Sequence, residues 1–387
     1  MPAGSSLTRL QPNRHYAKRV KVGTEIVMPL PAVTALIDTY NHERFIEEAI
    51  VSVLEQDFAA SDMEILVVDD GSTDRTPDIV RKFAPRVRYL RKNNGGQASA
   101  FNLGIAQARG EIVAFLDGDD WWEPYKITEV MKTFDKNSWA GVVGHGIIQH
   151  DSATGVNTAL SPKFSGCFDL QTTKGAHTFR NYMCFLGTSR VAIRRTVLDR
   201  VRPIPETLVV EADEFMSALS IAKSSAVLLP ACLTHYRLHD ENQYQFSIQD
   251  PARMRRKLNS LSSLAEELAV QLFAAGVSKE SIEIIVDPIL LMVGRMKLAL
   301  DGGMPWETYF TEQEDFRLNY SSAPFGYRVY KQIALLLTLV LPPRTYYKLR
   351  NLYAEKNLRR YRGWVGEPTP VAQIQEKPLS RSAAAGK

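Results

Sequence analysis

Three apolar runs in the first 120 residues each stop at a polar, mostly acidic cluster. Val33-Thr34-Ala35-Leu36-Ile37 runs into Asp38-Thr39-Tyr40-Asn41. Ile65-Leu66-Val67-Val68 runs into Asp69-Asp70-Gly71-Ser72, and Ile112-Val113-Ala114-Phe115-Leu116 into Asp117-Gly118-Asp119-Asp120. Short, β-branched, nearly unbroken runs fit strands buried on both faces of a parallel sheet. The carboxyl ends of such strands share one edge, and ligands bind there. The three clusters should therefore converge, giving at least three carboxylates beside backbone turns. That chemistry suits a metal-bound diphosphate.

Helical patterns separate the runs. Phe45, Ile46, Ala49, Ile50, Val53 and Leu54 form one face of a helix over about Glu43 to Glu55. Thr76 as N-cap and Pro77 at the first helical position start a second helix. A third strand is expected over 87–90, followed by Asn93-Asn94-Gly95-Gly96 and a helix to about Arg109. This alternation implies right-handed crossovers and a doubly wound α/β half-domain. Beyond it, strands are expected over Val142 to Gln149 and Ser189 to Ile193, and a helix over Glu211 to Ala222. Helices dominate from Pro251, over roughly 251–274, 278–300 and 324–341. The expected divisions are a basic, poorly ordered segment 1–30, an α/β domain 31–250, a helical region 251–365 and a disordered tail 366–387.

Charge is segregated. Residues 1–22 hold five basic and no acidic side chains, residues 321–387 twelve and three, and the middle 30 and 40. Attraction of the basic ends to an anionic membrane leaflet is one reading, ordinary solubilising tails the other. The run Ile333 to Leu341 is too short to span a bilayer, which takes ~20 apolar residues. With the basic and aromatic residues after it, it suits an interfacial helix, a helix packed on the core, or a dimer contact. Cys167, Cys184 and Cys232 lack CxxC spacing and read as reduced thiols, and the N-terminus lacks the apolar core of a signal peptide. A cytoplasmic location follows, with peripheral contact at the inner face of the membrane as the variant. Neither GxGxxG nor GxxxxGK occurs, which removes nicotinamide-cofactor and P-loop readings, and no nucleic acid is expected as a partner.

Four stretches together resemble family 2 glycosyltransferases of the GT-A fold. They are Asp38 to Asn41, Val67 to Asp74, Asn93 to Gly104 and Phe115 to Asp120, in matching order and spacing over about residues 33–245. The resemblance implies a GT-A (Rossmann-like) domain with a mainly helical C-terminal extension. It also implies an inverting, metal-dependent transferase using a nucleoside-diphosphate sugar. Asp38 departs from the family pattern, where Pro or a small residue is common.

The acidic segment can hold Mg²⁺ or Mn²⁺, hard ions that use a few carboxylates and leave positions for phosphate oxygens. Asp117, Asp119 and Asp120 are the expected ligands, Asp119 foremost, with Gly118 allowing a tight turn. A calcium loop is excluded, because its sixth position from Asp117 is Trp122 and its twelfth Thr128. Thr39, Tyr40, Asn41, Asp70, Asn94, Gly95, Asn102, Asp117, Gly118 and Arg237 are the expected nucleotide-sugar contacts. Tyr40 offers a ring face, Gly95 and Gly96 a close backbone, and the helix after them its N-terminus. Asn102, inside a helix, also has a purely structural reading. An inverting transfer needs a base for the acceptor hydroxyl. Asp213 is the first choice and Glu214 the second, although helix N-termini favour acids in any case. Phe185 to Ser189 is expected on the acceptor side. His235 to His239 resembles the Tyr-Arg-x-His stretch that closes such domains. It offers Arg237 to the diphosphate and His239 to the metal. His42, His145, His150 and His177 carry no comparable motif.

The expected donor is a UDP- or dTDP-type sugar, and the expected acceptor a carbohydrate or lipid-linked hydroxyl in surface polysaccharide or glycoconjugate synthesis. The rivals are a non-catalytic sugar-nucleotide-binding scaffold of the same fold and a nucleotidyltransferase. The second usually has a Gly-rich, Lys/Arg-bearing first loop, where this chain is acidic and polar.

Overall fold

The structure, a computed structural model, describes residues 30–152, 154–239, 250–321 and 323–350. All of the expected segment 1–30 except residue 30, the expected tail 366–387 and the end of the helical region from 351 lie outside the described residues. Strands β1 (Val33–Thr39), β2 (Met63–Asp69), β3 (Arg88–Arg91) and β4 (Ile112–Asp117) form the parallel half of one sheet, in the order β3-β2-β1-β4. Helices α1 (Ile46–Leu54), α2 (Thr76–Arg81) and α3 (Gln97–Gln107) connect them. Alternation along β1 explains the layering: Val33, Ala35 and Ile37 pack with Ile46, Ile50 and Val53 of α1. Leu36 packs on the opposite face with Phe101 and Ile105 of α3. Both faces are covered, as unbroken apolar strands require.

In the second half, beyond the doubly wound half-domain, the sheet becomes mixed. After β5 (Trp121–Trp122) and α4 (Lys126–Lys136) come β6 (Val142–Asp151), β7 (Val156–Leu160) and β8 (Gly166–Phe168). Next are α5 (Thr173–Tyr182), β9 (Val191–Arg194), α6 (Arg195–Val201), α7 (Ala212–Ala222) and β10 (Ala226–Leu238). Beyond β4 the order is β9-β6-β10-β5, with β9 antiparallel to both β4 and β6. The strand expected from Ser189 begins at Val191. Thr188–Arg190 instead form a single 3-10 turn.

The C-terminal helices are α8 (Pro251–Ala274), α9 (Lys279–Asp301), α10 (Pro305–Tyr320) and α11 (Phe325–Leu336). Apolar periodicity does not reveal α10, because its buried face is polar. Glu312 and Asp315 hold Arg295 of α9 at 2.8 and 2.7 Å. Among the described residues no helix is long and apolar enough to cross a membrane.

Hydrogen bonds fix the loops at the carboxyl edge. Asn41 N–H donates to Ser72 Oγ (2.9 Å), and Asn41 Oδ1 accepts from Thr73 N–H (2.8 Å). The Thr76 N–H donates to Asp74 Oδ1 (2.9 Å), and the Thr76 hydroxyl accepts from His42 N–H (2.9 Å). Thr76 is therefore the first residue of α2 and a staple between loops, not its N-cap. Asn102 is likewise structural. Its amide donates to Ile204 O and accepts from Ile204 N–H, both at 2.8 Å, clamping the segment that leads to α7. Both ends of this side chain are engaged by backbone, as its structural reading anticipates.

Asn102→Ala leaves a part-buried backbone N–H and C=O without those partners. Urea denaturation should show a loss of about 1–3 kcal/mol, while UDP affinity in Mn²⁺, measured by calorimetry, stays at the wild-type value.

Candidate active site

Parallel pairing brings Asp38 and Asp117 side by side as register partners at the ends of β1 and β4. The chain then turns so that carboxylate oxygens of Asp117, Asp119 and Asp120 lie within 4.8 Å of one another. Gly118 makes the turn tight: a Cβ there would stand 2.7 Å from both His42 Nδ1 and Thr39 Oγ1. Crowding and burial raise the proton affinity of most of these carboxyls. Burial first, then the charge of Asp119, raises Asp38 well above the carboxylate range. Burial and then Asp38 do the same to Asp117. Asp120 is pushed up to about 7 by burial and then Asp119. Asp119 is the exception. Burial works to raise it, but the hydrogen bond with His239 and the nearby His42 and His239 charges outweigh that and hold it low. Asp38 Oδ1 and Asp120 Oδ2 are buried and lack hydrogen-bond partners among the described residues. Converging all-oxygen donors with unsatisfied lone pairs fit a hard divalent cation.

The nucleotide-side residues divide. Asp70 is buried, and its carboxylate accepts from the backbone N–H of Gly95 (3.0 Å) and Gly96 (2.7 Å) and from Lys92 Nζ (2.7 Å). It organises the Asn93–Gly96 loop from beneath. Gly96 requires its left-handed φ of 85°, and a Cβ would lie 2.8 Å from Val209 Cα. Asn94 is exposed, and Tyr40 and Gly95 are half-buried at the open edge. Thr39 is buried, its hydroxyl 3.2 Å from His42 Nδ1. Asn41 spends its amide oxygen on the Thr73 loop.

On the far side, Asp213 opens α7. Its Oδ2 accepts from Thr188 N–H (3.1 Å) and Thr188 Oγ1 (3.3 Å), and its charge reaches Asp38 and Asp117. Glu214 faces elsewhere. It is pushed up to about 8 by burial first, then by Glu211 and Asp213, while Lys257 works against the rise. Lys257 Nζ pairs with Glu211 at 3.0 Å.

The closing stretch of β10 contributes two contacts. His239 Nε2 is 3.0 Å from Asp119 Oδ2. Arg237 N–H donates to Asp120 Oδ1 (2.9 Å), and its Nε donates to Asp119 O (3.0 Å). The guanidinium also pairs with Glu48 and lies over the rings of Phe45 and Trp121. In this arrangement Arg237 braces the acidic turn. His42, without a motif in the sequence, stands at the site with Nε2 4.0 Å from Asp119. His150 and His235 share a hydrogen bond of 2.7 Å, and His235 reaches Glu123 at 2.9 Å. Lys92 and Lys126 also escaped sequence reasoning. Lys126 is fully buried, donates to Ser189 O (2.8 Å) and packs its cation on Trp122. Nothing in a lone Lys on an amphipathic helix marks it as buried.

Residues 34–201 match the family model described as "Glycosyl transferase family 2". An uncharacterized glycosyltransferase of Nostoc sp. is 36% identical over 222 residues, covering 55% of this chain and 66% of that protein. The Staphylococcus aureus poly(ribitol-phosphate) beta-N-acetylglucosaminyltransferase TarS is 34% identical over 127 residues, 30% of this chain and 22% of its own length. The chain thus spans about two thirds of the first relative and about a fifth of the second. The crystal structure of S. aureus TarS 1-349 has the same fold, with a TM-score of 0.50 at 19% identity over 80% of both chains. Residues 34–201 form a glycosyltransferase family 2 domain, and the chain has a GT-A-like fold with a helical C-terminal region.

The raised carboxyl of Glu214 has a signed consequence. The folded state keeps a proton that the unfolded chain releases near the ordinary glutamate value, so stability falls as pH rises towards 8. The buried His145, depressed by its burial, acts in the opposite sense only below the ordinary histidine value of about 6.5. Between pH 6.5 and 8, wild type should therefore lose up to about 1.4 kcal/mol per pH unit more than Glu214→Gln. Denaturant titrations in EDTA at several pH values measure the difference.

Proposed function

We propose that the chain is an inverting, metal-dependent glycosyltransferase. It moves a sugar from a UDP- or dTDP-type donor to a hydroxyl of a carbohydrate or lipid-linked acceptor in polysaccharide or glycoconjugate synthesis. The observation that carries this reading is the convergence of Asp117, Asp119 and Asp120 with Asp38 and Asp213 at one sheet edge. Asp117, Asp119 and Asp120, with His239 beside Asp119, would hold Mg²⁺ or Mn²⁺. When bound, the ion supplies Lewis-acid neutralisation of the departing diphosphate. Thr39, Tyr40, Asn94, Gly95 and Gly118 form the edge offered to the nucleotide sugar, with Asp70 and Asn41 shaping it from behind.

Asp213 takes the acceptor proton. Its influence on Asp38 and Asp117 supports that choice over Glu214, which responds to Glu211 and Lys257. The name of the TarS relative, a poly(ribitol-phosphate) beta-N-acetylglucosaminyltransferase, supports a polymeric acceptor and an N-acetylglucosamine donor. A peripheral contact with the inner face of a membrane is also proposed. Phe325, Val329, Ile333 and Leu336 stand exposed on one face of α11, with Arg328 among them. Dimerisation through the same face is the competing arrangement, and sedimentation velocity distinguishes it.

A panel of sugar nucleotides with Mn²⁺ tests the donor. The true donor should raise the melting temperature, by mass action on the folded state. Donor hydrolysis should need the metal and vanish in Asp119→Ala, whereas a scaffold would bind without turnover. No shift with any sugar nucleotide refutes the proposal. For the membrane, full-length protein should cosediment with phosphatidylglycerol vesicles, and the Ile333→Glu/Leu336→Glu variant should stay in the supernatant.

A further inference from the structure

We infer that the Thr188-Ser189 turn is a positioning device that holds the two halves of the site at a fixed separation. The inference rests on the proposed roles of Asp117 and Asp213. One end of the turn serves the base: Thr188 N–H and Oγ1 both meet Asp213 Oδ2. The other serves the acidic cluster: Ser189 Oγ donates to Asp117 Oδ2 (3.3 Å) and accepts from Asp117 N–H (3.1 Å). Adjacent residues of one short turn therefore touch both carboxylates.

The turn itself is anchored. Both residues are buried. The Ser189 carbonyl accepts from Lys126 Nζ (2.8 Å) and Thr234 Oγ1 (2.6 Å). Gln97 of the Gly-Gly-Gln stretch clasps it from the nucleotide side. Its Nε2 is 3.2 Å from Thr188 Oγ1, and its Oε1 accepts from Ala212 N–H (3.1 Å) at the start of α7. The clasp links the α3 N-terminus, the turn and the helix that carries Asp213.

The chemistry explains why such a link matters. In an inverting transfer the acceptor oxygen bonds to the anomeric carbon as the carbon–oxygen bond to the diphosphate breaks. The acceptor proton passes to the base, and the bond pair leaves with the diphosphate. The base and the diphosphate-binding carboxylates therefore lie on opposite sides of one carbon. A misplacement of about 1 Å costs on the order of a hundredfold in rate. Hydrogen bonds that orient a metal-binding carboxylate are worth about tenfold or more in metal affinity or activity.

The test compares Thr188→Val, Thr188→Ser and Ser189→Ala with Asp213→Asn and Asp119→Ala. The measured quantities are nucleoside-diphosphate release from the fastest substrate among UDP-GlcNAc, UDP-glucose, GDP-mannose and dTDP-glucose, the Mn²⁺ half-saturation, and UDP affinity by calorimetry. Thr188→Val should lower kcat about tenfold, leave UDP affinity within about twofold, and be largely rescued by Thr188→Ser. Ser189→Ala should raise the Mn²⁺ half-saturation about tenfold. Thr188→Val and Ser189→Ala variants that retain wild-type kcat and Mn²⁺ response, while Asp213→Asn and Asp119→Ala are inactive, overturn the positioning role alone. An active Asp213→Asn or Asp119→Ala overturns the assignment on which it rests, and the inference falls with it. Melting temperatures of each variant separate these effects from loss of fold.

Discussion

Burial of several carboxyl groups beside one another is the constraint on which the site depends. Asp38 and Asp117 are forced together by strand register, and the turn after β4 adds Asp119 and Asp120. Folding has already fixed these groups, so they cannot move apart. Burial first, and then neighbouring charge, raises the proton affinity of Asp38, Asp117 and Asp120, whereas Asp119 is held low by its partners His239 and His42. The oxygen donors of Asp117, Asp119 and Asp120, gathered within 4.8 Å, suit a hard cation. The apolar strands beneath the cluster provide the rigidity that keeps the crowding from being relieved by relaxation.

Around this centre the fold spends polar side chains on holding backbone. Asp70 gathers the Gly95 and Gly96 amides, Asn41 and Thr76 staple the first two loops, and Asn102 clamps Ile204. Arg237 braces the acidic turn against Glu48, Phe45 and Trp121. Several residues expected as ligand contacts thus also hold backbone in place. A pre-organised edge of this kind suits a reaction whose charge develops on the leaving group, since the surroundings need not reorganise as it departs.

β1–β4, β6, β9 and most helices were legible, because buried strands leave apolar runs and amphipathic helices leave 3.6-residue periodicity, whereas β5, β7, β8, β10 and α4–α6 were not expected. β1, β2 and β4 and helices α8 and α9 fall close to the expected spans. α10 was not legible, because its packed face pairs Glu312 and Asp315 with Arg295, and charge pairing has no apolar signature. Asn102 was ambiguous for a related reason. An amide in a helix is equally suited to a ligand or to a backbone clamp, and its partner lies 102 positions away.

The sequence by itself determined the strand ends, and with them the residues available to the site. Strand length and side-chain alternation are local, and the acidic clusters follow the strands directly. Only the tertiary structure decided which carboxylates share a charge and which do not. It set Asp213 against Thr188, turned Glu214 towards Glu211 and Lys257, and buried Lys126 beneath Ser189. Those outcomes depend on distances between segments far apart in the chain, and electrostatics and hydrogen bonding act through distance in space rather than through position in sequence.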